Sequence, residues 1–162
     1  MIKETNRSYL VYVIITLVVV MLTMIGCKKE ATPTPTSTSP GAKYTIDVAN
    51  KSGIGDYLVD GAGMTLYRYT GDSYIKSTVS QDLLKDWPIF STSKYTVPSK
   101  LDASDFSNSI INYGSGSNGQ TCYKGWPLYY SDLDKKPGDT FGNVKSGFLI
   151  VSQTLTPAPT NN

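Results

Sequence analysis

The sequence predicts an all-β fold: a small antiparallel sheet or sandwich domain built from two related strand-and-turn repeats. Three observations predict it. Beyond Glu30 every acidic residue is an aspartate, eleven in all, accompanied by glycine, serine and asparagine. That balance is rich in turn formers and poor in helix formers. Ten tyrosines follow residue 27, and tyrosine suits half-buried strands. Short apolar or alternating stretches are separated by glycine-rich segments, the pattern of hairpins and meanders.

The elements follow in order. Tyr44 to Val48 alternates as a strand should, Asn50 to Gly55 is a turn, and Asp56 to Asp60 is a second strand. Gly61-Ala62-Gly63 turns into a third strand from Met64 to Tyr69. Trp87 to Phe90 is a short apolar run, and Leu101 to Ser107 is compatible with one helical turn. Ile110 to Tyr113, the linker Gly114 to Gly119, and Gln120 to Lys124 read as a hairpin, with Leu128–Tyr130 and Phe148–Val151 as the last strands. Proline after Trp87 and Trp126 keeps both tryptophans out of helical angles, which suits plugs at a sheet end.

The repeat is written in the numbering. Gly63, Leu66, Tyr67 and Asp72 recur as Gly125, Leu128, Tyr129 and Asp134 at one constant offset of 62. Trp87-Pro-Ile-Phe90 pairs with Phe148-Leu-Ile-Val151 if one residue is skipped. Constant spacing is what a duplicated unit leaves behind.

The domain is the third part of the chain. Residues 1–26 read as a signal peptide: Lys3 and Arg7, then the apolar run Tyr9 to Gly26. Met24-Ile25-Gly26-Cys27 resembles a bacterial lipobox, in which the cysteine is lipidated and becomes the new N-terminus. An uncleaved span is the alternative, since the run reaches about the minimum length of a transmembrane helix. Both readings predict a cell-envelope location outside the cytoplasmic membrane, held by acyl chains such as palmitate or by the span. Residues 27–42 hold a Thr/Pro/Ser linker, residues 43–153 the β domain, and residues 154–162 a tail of linker-like composition expected to be disordered.

Several function classes are excluded by what is missing. The chain has no histidine, which removes Ser-His and Cys-His catalysis and every His-containing zinc site. The net charge is +2, and +1 once Lys3, Glu4 and Arg7 are set aside. No nucleic-acid-binding patch is expected from that balance. With Cys27 lipidated, Cys122 has no intramolecular partner and reads as a small buried hydrophobe.

Tyr67-Arg-Tyr69-Thr-Gly-Asp72 fits Y-x-[FWY]-x-x-D, and Gly125-Trp-Pro-Leu-Tyr-Tyr130 is followed by Pro137-Gly-Asp-Thr140. With Asp60 to Tyr67 and Leu101 to Phe106, these segments resemble the secreted-repeat bacterial lipoproteins that carry this motif. The resemblance spans nearly the whole domain plus the lipobox. It implies location and fold, and the family's biochemical role is unassigned. The chain departs from the pattern in three places: Ser131 stands at the second motif's aromatic position, Ser77 to Asp86 lacks a cysteine pair, and Phe148 replaces a tryptophan.

The motifs admit competing readings. Asp72 and Asp134 suit turn caps, and each carboxylate could also receive a tyrosine hydroxyl. Tyr67, Tyr69, Trp126, Tyr129 and Tyr130 are candidates for an aromatic platform that stacks on a sugar or another flat ligand. Asp132, Asp134 and Asp139 are candidates for a calcium site, although Pro137 and a missing glutamate depart from the EF-hand. The expected function is a membrane-anchored, non-enzymatic envelope module that binds a protein or glycan partner or supports the envelope. The alternatives are a calcium-dependent binder and a carboxylate-based glycoside hydrolase.

Overall fold

The computed structural model describes residues 44–114 and 116–160. The signal peptide, the lipobox with Cys27 and the linker lie outside the described residues. The fold class is all-β. Strands β1 (Ile46–Lys51) and β2 (Gly55–Asp60) form a hairpin, β3 (Tyr67–Tyr69) pairs with β7 (Phe148–Ile150), and β4 (Phe106–Asn112), β5 (Ser117–Tyr123) and β6 (Trp126–Pro127) form a third sheet. All pairings are antiparallel.

The duplication is structural, and it is crossed. In the first half, the Leu58 N–H donates to Val151 O at 2.9 Å, Val151 N–H to Leu66 O at 3.0 Å, and Leu66 N–H to Leu58 O at 3.0 Å. Three chain segments thereby close a ring of hydrogen bonds. The second half builds the same ring: Thr121 N–H to Phe90 O at 3.0 Å, Phe90 N–H to Leu128 O at 2.8 Å, and Leu128 N–H to Thr121 O at 3.0 Å. Val151 belongs to the second repeat yet closes the first ring, and Phe90 belongs to the first yet closes the second. Between the rings, Tyr67 and Tyr129 exchange N–H···O bonds of 2.8 and 2.9 Å, as residues on a local two-fold axis do.

Burial explains why the rings hold. Leu58, Leu66, Leu128 and Val151 have no exposed surface, and with Ile46, Phe90, Leu101, Phe106 and Tyr123 they form one apolar cluster. Buried backbone groups must find partners, and the ring leaves no donor or acceptor of these six residues turned inward unmet. A second cluster gathers Tyr67, Val79, Trp87, Ile111, Tyr113, Cys122, Tyr129 and Phe148. At its centre Trp87 and Phe148 stack with ring centroids 3.7 Å apart and planes 3° from parallel. Tyr67 meets Trp87 edge-on at 5.5 Å, and Tyr129 meets Phe148 edge-on at 5.4 Å. The skipped-residue pairing of Trp87 with Phe148 is thus a physical contact between the equivalent positions. Such pairs add roughly 0.5–1.5 kcal/mol each beyond the area they bury.

The recurring glycine has its own cause. Gly63 and Gly125 both sit at φ +83°, in the left-handed region that glycine enters without penalty.

Three expectations are corrected. The helical turn from Leu101 to Ser107 shrinks to a 3-10 turn over Ala103–Asp105, capped by Asp102, whose carboxylate accepts the Ser104 N–H at 2.8 Å. Phe106 already belongs to β4, because its ring is needed in the first cluster. Leu128–Tyr130 is not a regular strand; Tyr129 joins the sheets through single bridges to Tyr67 and to Ile89, the latter within the short apolar run Trp87–Phe90. Residues 154–160 are not a free tail. Trp126 Nε1–H donates to Thr156 O at 2.9 Å, Ala158 N–H to Lys124 O at 2.9 Å, and Tyr74 N–H to Pro159 O at 2.9 Å. Ala158, part of this strap, is itself buried. Its composition hid these contacts, which depend on an indole donor placed by a distant part of the sequence.

Crossed closure predicts that neither half is complete alone. A chain cleaved at an engineered site between Pro98 and Ser99 is expected to stay associated under native conditions and to melt in one transition. Recovery of two folded, monomeric halves would contradict it.

Candidate functional site

The motif residues converge on two buried polar pairs, and these pairs are also crossed. Tyr67 Oη–H donates to Asp134 Oδ2 at 2.7 Å. Tyr129 Oη–H donates to Asp72 Oδ2 at 2.8 Å and lies 2.7 Å from Ser77 Oγ. Each tyrosine therefore bonds the aspartate of the other repeat, not the one five residues along its own strand. Each carboxylate then uses its second oxygen on a loop amide: Asp72 Oδ1 accepts Thr78 N–H and Asp134 Oδ1 accepts Phe141 N–H, both at 2.8 Å. Asp72 and Asp134 are turn caps and tyrosine receptors at once.

The electrostatics follow from the burial. Asp72 is held above the ordinary carboxylate value by burial, against the hydrogen bonds it receives from Thr78 and Tyr129 and the contact with Ser77. Burial pushes Tyr67 and Tyr129 far above the ordinary phenol value, and the charges and hydrogen bonds of Asp134 and Asp72 add to it. Tyr130 is raised in the same way, by burial and then by Asp60, whose Oδ2 accepts its hydroxyl at 2.8 Å. Cys122 is fully buried, with its thiol pushed up to about 12 by burial, which removes thiolate chemistry near neutral pH.

The five aromatic candidates do not form an exposed platform. Tyr67 and Tyr129 have no exposed surface, and Trp126 is buried under the strap. Tyr69 is half-buried and packed on Phe148 at 4.8 Å, and Tyr130 is half-buried against Phe90 at 5.6 Å. The absent aromatic of the second motif is explained by space. A Cβ on Gly142 would lie 2.7 Å from Ser131 Cβ and 2.9 Å from Tyr67 Cζ. The Gly142 backbone closes over the Tyr67 hydroxyl, donating to it at 3.3 Å, and a ring at position 131 would displace that loop.

The acidic turn is placed as follows. Asp139 Oδ2 accepts the N–H groups of Lys135 and Lys136 at 3.0 and 3.1 Å, Asp134 is committed as described, and Asp132 is exposed. Lys51 Nζ donates to Gly138 O at 3.1 Å and Thr140 Oγ1 at 2.8 Å, which pins the turn to β1. Among the described residues no group of three or more metal-ligating side chains comes together.

One residue was not marked by the motif reading. Arg68 lies between Tyr67 and Tyr69, with its guanidinium 4.3 Å from the Trp126 ring centroid. Its Nε is cut off from solvent and has no hydrogen-bond partner. Neither ion pair among the described residues, Lys85–Asp82 or Lys124–Asp105, includes it. Burial lowers its pKa from the ordinary arginine value. The sequence carried a signal, for Arg68 is the only arginine after Arg7.

A surface groove of about 300 Å³ lies elsewhere, between Ile54, Tyr57, Val144 and Ile150. Val144 is exposed at φ +57°, a strained setting for a β-branched side chain. No family profile matches the sequence, and no curated protein or solved structure is significantly similar to it.

The pKa directions give the same trend at the two ends of the pH scale, a loss of stability as pH rises. Raised phenols contribute stability that is full below their unfolded value of 10.0 and is lost as pH rises above it. Asp72, also raised, contributes stability that is full below its unfolded value of 3.8 and is lost as pH rises through its folded value. Melting points are expected to fall steeply above about pH 10. The advantage of wild type over Asp72→Asn should be larger at pH 4 than at pH 7. A flat alkaline limb would count against the buried tyrosine network.

Proposed function

We propose that this chain is a lipid-anchored cell-envelope protein whose β domain is a non-enzymatic binding or structural module. The observation that carries the module reading is the crossed pairing of Tyr67 with Asp134 and Tyr129 with Asp72. The residues that recur in the sequence are spent on closing the fold, so the repeat is accounted for by architecture and needs no reaction. The anchor rests on the order of Lys3 and Arg7, an apolar run and Gly26-Cys27. The likeness of Tyr67 to Asp72 and of Gly125 to Tyr130 to the secreted-repeat lipoproteins supports the same assignment.

Metabolic labelling with radioactive palmitate in a bacterial host tests it. The full chain is expected to take up label and to lose the mass of residues 1–26, while Cys27→Ser takes up none. An unlabelled wild-type chain that stays in the membrane at full mass would replace the lipid anchor by a transmembrane span.

A further inference from the structure

The local two-fold places Arg68 opposite Tyr130, 62 residues on. In the second half Tyr130 delivers its hydroxyl to Asp60 of the first half at 2.8 Å. Asp60 stands two residues after Leu58, as Tyr123 stands two after Thr121 in the equivalent ring. Where Tyr130 finds a carboxylate, the position equivalent to Asp60 is held by Tyr123, which offers no charge and whose hydroxyl donates to Gln153 O at 2.9 Å. Among the described residues no acid forms an ion pair with Arg68.

The local chemistry is that of a receptor. Trp126 is itself fixed, its indole N–H bonded to Thr156 O, and it orients the guanidinium by cation–π stacking. Nε is sealed from solvent without a partner, while the residue as a whole is only half-buried, so part of the side chain reaches the surface. A planar fork of donors matches a carboxylate in two parallel hydrogen bonds. An unpaired buried donor is costly, a penalty that a purely structural residue such as methionine would avoid.

The geometry points to Arg68, held on Trp126, as the receptor for the carboxylate of a small external ligand. The site rests on the binding half of the proposed function and not on the anchor, so its test leaves Cys27 untouched. A carboxylate can come from an acidic sugar or from a peptide C-terminus, and the test separates the two.

The full chain in detergent is followed by NMR through two signals. One is the Nε–Hε peak of Arg68, identified as the peak lost in Arg68→Met; the other is the Trp126 indole N–H. Sodium glucuronate is titrated against glucose in matched sodium chloride, and acetyl-Ala-Ala against its amide. Both signals are expected to move and saturate with at least one carboxylate and to stay in place with the neutral counterpart. Arg68→Lys, which keeps the charge but loses the fork, should bind roughly tenfold or more weakly. Saturation in one arm names the source of the carboxylate, and saturation in both assigns a general carboxylate site. No movement in either arm, or movement that sodium chloride reproduces, overturns the proposal. Stability gives a second readout. Arg68→Met is expected to melt no lower than wild type, whereas a fall of about 5 °C or more would make Arg68 a structural prop and overturn it.

Discussion

The fold depends on a reciprocal exchange at one point, where Tyr67 and Tyr129 face each other across the local two-fold. Their backbones trade two hydrogen bonds, and their hydroxyls reach past one another to the aspartates of the opposite repeat. Every other feature of the interior follows from this crossing. The ring of Leu58, Leu66 and Val151 lies one residue before Tyr67, and the ring of Thr121, Phe90 and Leu128 one residue before Tyr129. The stacked Trp87 and Phe148 fill the space that the two tyrosine rings enclose. A domain of this size has little core to spare, and crossing makes both halves contribute to both clusters.

The crossing also explains the use of aspartate. Each acid must receive a buried phenol on one oxygen and a loop amide six or seven residues on with the other. A short side chain with few rotamers does this with less loss of conformational freedom than glutamate. Removing either partner would leave a desolvated group with nothing to bond. The motif is therefore demanding at its tyrosine and aspartate positions and permissive between them, where Arg68 and Tyr130 differ and where Tyr69 gives way to Ser131.

Much of the fold was legible in the sequence, and its failures have physical reasons. Composition and glycine spacing gave the all-β class, and the constant offset located the duplicated unit because Gly63 and Gly125 need the same positive φ. What linear spacing does not carry is connectivity between the copies. Tyr67 and Asp72 sit five residues apart in sequence and so suggest a local pair, but the bond runs from Tyr67 to Asp134. The aromatic residues looked like a platform because side-chain type is visible and burial by a partner repeat is not. The strap over Trp126 was hidden for the same reason, since Thr156 and Ala158 are ordinary residues whose role lies in backbone groups met by Trp126 and Lys124. Arg68 was visible as a singular residue, but that no acid among the described residues pairs with it is a fact of the folded arrangement.

The central claim, that the repeats are locked by crossed pairs, is tested most directly by double-mutant cycles in thermal or denaturant unfolding. Tyr67→Phe combined with Asp134→Asn should show a coupling energy of about 1 kcal/mol or more, as should Tyr129→Phe with Asp72→Asn. The within-motif combinations, Tyr67→Phe with Asp72→Asn and Tyr129→Phe with Asp134→Asn, should be close to additive. Coupling confined to the within-motif pairs would contradict the crossed architecture.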